Sequence, residues 1–181
     1  MTDNGKIWIE EGYHFFASQG PGEMRVERLA KTIGKNKSSF YHFFATIEIL
    51  QEELLQYHLT QICAMANALE KAITLEDLTA ILLDNKTHLL FNRQLRIHRQ
   101  KPEFEHYLHK TNAVAGTAIM EVWKNMLELK NNSYLARLVL KLSVDNFFLQ
   151  ITEAQLDRDW LNTYFLQLRE MVQAFKNKAP H

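Results

Sequence analysis

The sequence predicts an all-α protein: an N-terminal three-helix head of the helix-turn-helix kind, joined by a long fourth helix to a helical body. Three observations predict it. Apolar residues recur at helical spacing along most of the chain, and no strand-like alternation bounded by turn residues stands out. Five of the six glycines lie at or before Gly34, and beyond it only Gly116, Pro102 and Pro180 interrupt the chain. The stretch 25–44, RVERLAKTIGKNKSSFYHFF, reads as two short helices about a glycine turn. The expected division is a head over residues 1–46 and a body over 47–181.

The first helix should cover about residues 6 to 18, with Trp8, Gly12, Phe15 and Phe16 toward the head's core and GPG at 20–22 as its stop. Val26, Leu29, Ala30 and Ile33 then fall at i, i+3, i+4 and i+7, one face of a short second helix. Gly34 can take the left-handed conformation that ends it, and Asn36 can cap the next one. In that third helix, KSSFYHFF, the anchors Phe40, Phe43 and Phe44 should point back at the second helix. Ala30 is small enough to let the two helices cross closely.

A fourth helix should start near Thr46, with Glu48 in its first turn, and continue through Leu50, Leu54, Tyr57 and Ile62. Nothing rich in Gly or Ser separates it from the head, so the link is stiff. Thr74 and Asp77 have capping-box spacing and should open the next helix, which runs to about Phe91. Pro102 suits the first turn of a short helix in the polar stretch after it. Further helices are expected at about 112–130, 134–151 and 158–176. The last two are too apolar for a single buried stripe, the final one spreading its large apolar residues over roughly 140° of arc. Such a pair of faces suggests a subunit interface, with Leu138, Leu142, Leu161, Tyr164, Phe165, Leu168 and Val172 as its residues.

Composition narrows the function. With 46% hydrophobic residues in 181, the chain can bury a sizeable core. Lys+Arg and Asp+Glu both total 21, so overall charge gives no reason to expect nucleic acid. The local balance does. Between residues 25 and 42 five basic residues (Arg25, Arg28, Lys31, Lys35 and Lys37) face one acid, Glu27. Lys37, Ser38, Ser39, Tyr41 and His42 are left available on the third helix, and lysine and hydroxyl side chains are what a DNA groove and its phosphates accept.

On those residues the chain resembles the N-terminal DNA-binding domain of the TetR family of transcriptional regulators, over about residues 7 to 55. The matching pieces are FASQG, the LA and G of LAKTIG, and SFYHFF followed by EIL. The resemblance implies a homodimer that binds a palindromic operator and represses transcription until a small molecule binds the helical C-terminal domain. It also implies that Lys37, Ser38 and Tyr41 face the groove, and that Arg25, Ser39 and His42 touch phosphates or flanking positions. Lys35 and Asn36, in the turn, complete the expected DNA-binding set. The chain departs from the family at Ala45 and Ile47, where a proline and a lysine are common, and at Lys35, where the turn residue is commonly apolar.

Aromatic and polarizable side chains commonly line small-molecule sites, which makes His88, Phe91, Met120, Trp123 and Phe147 the expected effector-pocket residues. No metal or cofactor is expected. His106 and His109 are three apart, but sequence fixes only that one helical pair, short of the three or four ligands a site needs. Nor is an enzyme expected, since no nucleophile–base pair, phosphate-binding glycine loop or carboxylate dyad is evident. The single cysteine, Cys63, fits a reducing cytoplasm, and neither a signal peptide nor a membrane span is read from the sequence. The alternative function is a helical dimeric adaptor or ligand sensor that has lost sequence-specific DNA binding.

Overall fold

The helical spacing is realised throughout a computed structural model that describes residues 3–178. Among the described residues there are ten α-helices and no strand. In chain order they are α1 (Asp3–Gln19), α2 (Val26–Thr32), α3 (Lys37–Tyr41), α4 (Ile47–Leu69), α5 (Leu75–Asp84), α6 (Lys86–Ile97), α7 (Pro102–Ala118), α8 (Met120–Met126), α9 (Ser133–Gln150) and α10 (Arg158–Lys178). A single 3-10 turn, Pro21–Glu23, follows α1. Gly20 ends α1 with φ +82, and its amide still reaches the Phe16 carbonyl at 2.9 Å. Among the described residues, no helix is long and apolar enough to cross a membrane.

Local signals set several boundaries. Thr74 and Asp77 form the capping box: the Thr74 hydroxyl accepts from the Asp77 amide at 3.1 Å, and the Asp77 carboxylate accepts from the Thr74 amide at 2.9 Å. The Ile73 amide, which donates to the same carboxylate at 3.0 Å, and the Thr74 bonds after it hold the Asp77 carboxyl below its ordinary value. Thr74→Ala should therefore lower stability by about 1 kcal/mol, and its urea midpoint should fall without a change in slope. The helix expected to run to Phe91 is instead broken at Asn85, whose side-chain amide donates to the Ile81 carbonyl at 2.7 Å and closes α5. Likewise the helix expected over 112–130 is the end of α7 followed by α8. The third helix also stops earlier than expected, at Tyr41, because the amides of Phe43 and Phe44 both turn back to the Phe40 carbonyl.

The chain packs as two units. The first comprises Met1–Ile62 and Thr87–Thr111, the second Cys63–Lys86 and Asn112–His181. The boundary expected at residue 46 thus lies inside the first unit. Phe16 of α1 stacks on Phe91 of α6 at 4.1 Å, and Phe104 of α7 meets the same Phe16 edge-on at 5.6 Å. A head ending at 46 would leave those rings uncovered. Trp8, Phe40, Leu50 and Leu54 are fully buried in the same core.

In the second unit, α5 packs against α10 and α8, and α8 against α9. Trp123 of α8 is buried and donates its indole N–H to the Ala136 carbonyl of α9 at 3.0 Å. Phe147 of α9 contacts the rings of Trp160, Tyr164 and Phe165 on α10. Arg158 at the start of α10 pairs with Glu76 of α5.

Candidate nucleic-acid interface

The connection from α2 to α3 is built by backbone bonds that the sequence favours locally. Gly34 adopts φ +64, and a Cβ added there would meet nothing, so backbone conformation is what a side chain would strain. Its amide donates to the Lys31 carbonyl at 3.3 Å, and the next amide, Lys35, reaches the Ala30 carbonyl at 2.9 Å. These are the paired bonds of a Schellman helix end. Asn36 then caps α3 by accepting the Ser39 amide at 2.8 Å. Both α2 and α3 are pinned to α1 from below: Leu29 and Phe40 are fully buried, and Phe40 meets Trp8 edge-on at 5.2 Å.

This leaves a polar face outward. Arg25, Lys35, Asn36, Lys37, Ser38, Tyr41 and His42 are exposed, and Ser39 is half-buried beneath its cap. Tyr41 is the large one, 57% exposed, its ring edge-on to Phe40. Of the three expected aromatic anchors, Phe40 and Phe44 are buried but Phe43 is not, at 36% exposure. The early end of α3 turns it away from the core.

Acidic partners occupy two of the five cations. Lys37 donates to Glu27 at 2.7 Å across the turn, and Arg28 pairs with Glu23. The Lys37 hydrogen bond, with help from the Glu27 amide and from the Arg25 charge, holds the Glu27 carboxyl below its ordinary value. Glu27, the lone acid between residues 25 and 42, is thus spent on Lys37, a pairing that the sequence does not announce. The only signal was sequence distance: ten residues separate them, too far for a helical pair but not for two helices folded about Gly34.

The other expected sites are distributed differently. His88 and Phe91 belong to the first unit, whereas Met120, Trp123 and Phe147 belong to the second. Phe91 is fully buried in ring stacks, and Trp123 and Phe147 each pack against Phe165 at 6.4 and 6.3 Å, so these three serve as core. Among the expected interface residues, Leu161, Phe165, Leu168 and Val172 are buried within their own unit, and Tyr164 donates its hydroxyl to the Ser143 carbonyl. One side of the α10 arc is spent on α5 and α9. The exposed apolar set is Leu138 and Leu142, together with Tyr134, Leu149, Leu166, Met171 and Phe175. Tyr134, Leu138, Leu142 and Leu149 fall within about 80° of each other on α9 at 100° per residue, forming one stripe.

No protein-family model matches the chain, and no curated protein matches it in sequence.

Proposed function

We propose that the chain is a sequence-specific DNA-binding transcriptional regulator that acts as a homodimer. The observation that carries this reading is the face built on α2 and α3: two short helices closed by Gly34 and capped by Asn36, fixed from beneath by Phe40, and presenting Lys37, Ser38 and Tyr41 outward beside Arg25 and Lys35. Lysine and hydroxyl groups on a helix held rigidly from one side are suited to reading base edges in a major groove, with the flanking cations on phosphates. The resemblance to TetR-like regulators supports the same role and adds a small-molecule effector that releases the operator, hence a repressor. The exposed α9 stripe supports the dimer, because a helix with apolar residues on both its buried and its outer side has more to cover than its own unit supplies. A twofold dimer reads two half-sites about one helical turn, ~34–36 Å, or a multiple of it apart.

Selection from random DNA followed by anisotropy at several salt concentrations tests the reading. A palindromic site bound in preference to shuffled DNA is the expected result, and equal, weak binding to both would overturn it. Lys37→Ala or Tyr41→Ala should relax sequence preference by about 1–3 kcal/mol at the base concerned, whereas Arg25→Ala should weaken binding to all sequences and flatten the salt dependence. Glu27→Gln should act in the opposite sense. With Lys37 released, affinity for any DNA should rise and the salt slope steepen by about one ion. The adaptor reading draws on that same pair of acids, since Glu23 and Glu27 neutralise two cations on a face that needs them. It predicts no salt-dependent binding in either the parent chain or the Glu27 variant.

A further inference from the structure

Three helices of the first unit meet at one atom. The Tyr13 hydroxyl of α1 lies 2.7 Å from Nδ1 of His58 on α4 and 2.9 Å from Nδ1 of His88 on α6. Phe91 is the floor of the cluster, stacked on the Tyr13 ring at 4.5 Å and on the His58 ring at 4.4 Å. Tyr57 closes one side, edge-on to Tyr13 at 5.1 Å. Tyr13 and His58 are buried, while His88 is half-buried and is the member solvent can reach.

A phenol has one hydrogen and cannot donate to both imidazoles. One ring must accept at Nδ1 and the other must donate from Nδ1 to the phenol oxygen. His58 decides which, because its Nε2 is buried and has no hydrogen-bond partner among the described residues. A proton placed there would make a buried N–H with no acceptor, the rarer and costlier orphan. The described surroundings therefore favour the Nδ1–H tautomer of His58, in which donation runs one way: His58 Nδ1–H to the Tyr13 oxygen, and Tyr13 O–H to His88 Nδ1.

We propose that this one-way pair of hydrogen bonds is a proton-addressed latch, holding α1 to α4 and α6 while His88 is neutral and opening when His88 takes a proton at Nδ1. A protonated Nδ1 is a donor. The Tyr13 hydrogen must then turn toward His58, and His58 must either meet it donor to donor or move its own proton to the buried Nε2. Both arrangements lose a bond in the interior. The titratable groups that face the site are Tyr13 and His14 from α1 and Tyr57 and His58 from α4. Among the described residues, no carboxylate is among the groups that shift either imidazole. Burial first, and the His14 charge second, disfavour the proton on His88; burial and His88 disfavour it still more on His58. The helix that is unlatched also carries Trp8, the seat of Phe40. The latch rests on packing within the first unit and does not depend on the DNA reading.

Imidazole nitrogen NMR on the full chain, titrated from pH 7.5 to 5, tests it together with amide hydrogen exchange in α1. At pH 7.5 the expected result is His58 protonated on Nδ1 and His88 on Nε2, with His88 titrating below the ordinary 6.5 and α1 protection falling as it does. Tyr13→Phe keeps the ring stack and removes the hydroxyl. In that variant the His88 midpoint should rise toward 6.5, and α1 protection should lose its dependence on the His88 charge. A His58 proton found on Nε2 in the parent chain overturns the proposal whether or not the variant folds. So does a His88 midpoint that Tyr13→Phe leaves unmoved, since burial alone would produce that.

Discussion

Phe91→Ala is expected to destabilise the protein by about 3–5 kcal/mol, the usual range for deleting a fully buried phenyl ring. Its ring lies against three others in the first unit: Phe16 at 4.1 Å, His58 at 4.4 Å and Tyr13 at 4.5 Å. All three partners are themselves less than a tenth exposed, so the space vacated by the ring has little freedom to collapse. Urea unfolding followed by tyrosine and tryptophan fluorescence measures the loss, and Phe43→Ala is the control. Phe43 is 36% exposed at the end of α3, and its truncation should fall within about 1 kcal/mol. A Phe91→Ala loss as small as the control's would mean that the stack around Phe91 does not hold the first unit together.

Lowering the pH from 6.5 to 5 is expected to remove about 2 kcal/mol of stability, through His58. Burial is the main cause and the neighbouring His88 the lesser one; together they push the His58 imidazole down to about 3 in the folded chain, from an ordinary 6.5. Below 6.5 the unfolded chain binds a proton there that the folded chain refuses. The unfolded state is then favoured progressively as pH falls, and the loss continues until the folded value near 3 is reached. Well above 6.5 the imidazole is neutral in both states and contributes no slope. His88, also lowered, adds a smaller loss in the same direction. Denaturant midpoints at pH 7, 6 and 5 give the profile, and His58→Leu should flatten most of it. A parent profile flat between pH 6.5 and 5 would show that water reaches His58.

What the sequence made legible was what neighbouring residues decide among themselves. Gly34 and Asn36 specify the turn between α2 and α3 within a handful of residues, and Thr74 with Asp77 specifies the start of α5. The face of Lys37, Ser38 and Tyr41 follows from that local geometry. One misreading is local and the others are long-range. Phe43 has the hydrophobicity of an anchor, and only the tight close of α3 turns it outward. Leu161 and Leu142 are the same residue type on adjacent long helices, yet one is fully buried and the other 71% exposed. Which side of each helix its own unit would cover depends on α5 and α8, and periodicity does not contain that. The Tyr13 cluster was hidden for the same reason. His58 sits in the i+4 row of Leu50, Leu54 and Ile62, where one imidazole among leucines looks like an isolated exception until α1 and α6 arrive beside it.

The first unit takes two separated pieces of chain, and the piece that completes it begins at Thr87. During synthesis from the N-terminus, α1, α2 and α3 leave the ribosome well before Phe91 and Phe104, and Phe16 waits for both. The nascent head is therefore obliged to persist with open aromatic surface until residue 111 has emerged, the stage at which such chains engage chaperones or aggregate. Fragments cut after the α3 region inherit that condition permanently. A stable excised head must include α6 and the first half of α7, carried either by the intervening residues 63–86 or by a designed shortcut across them.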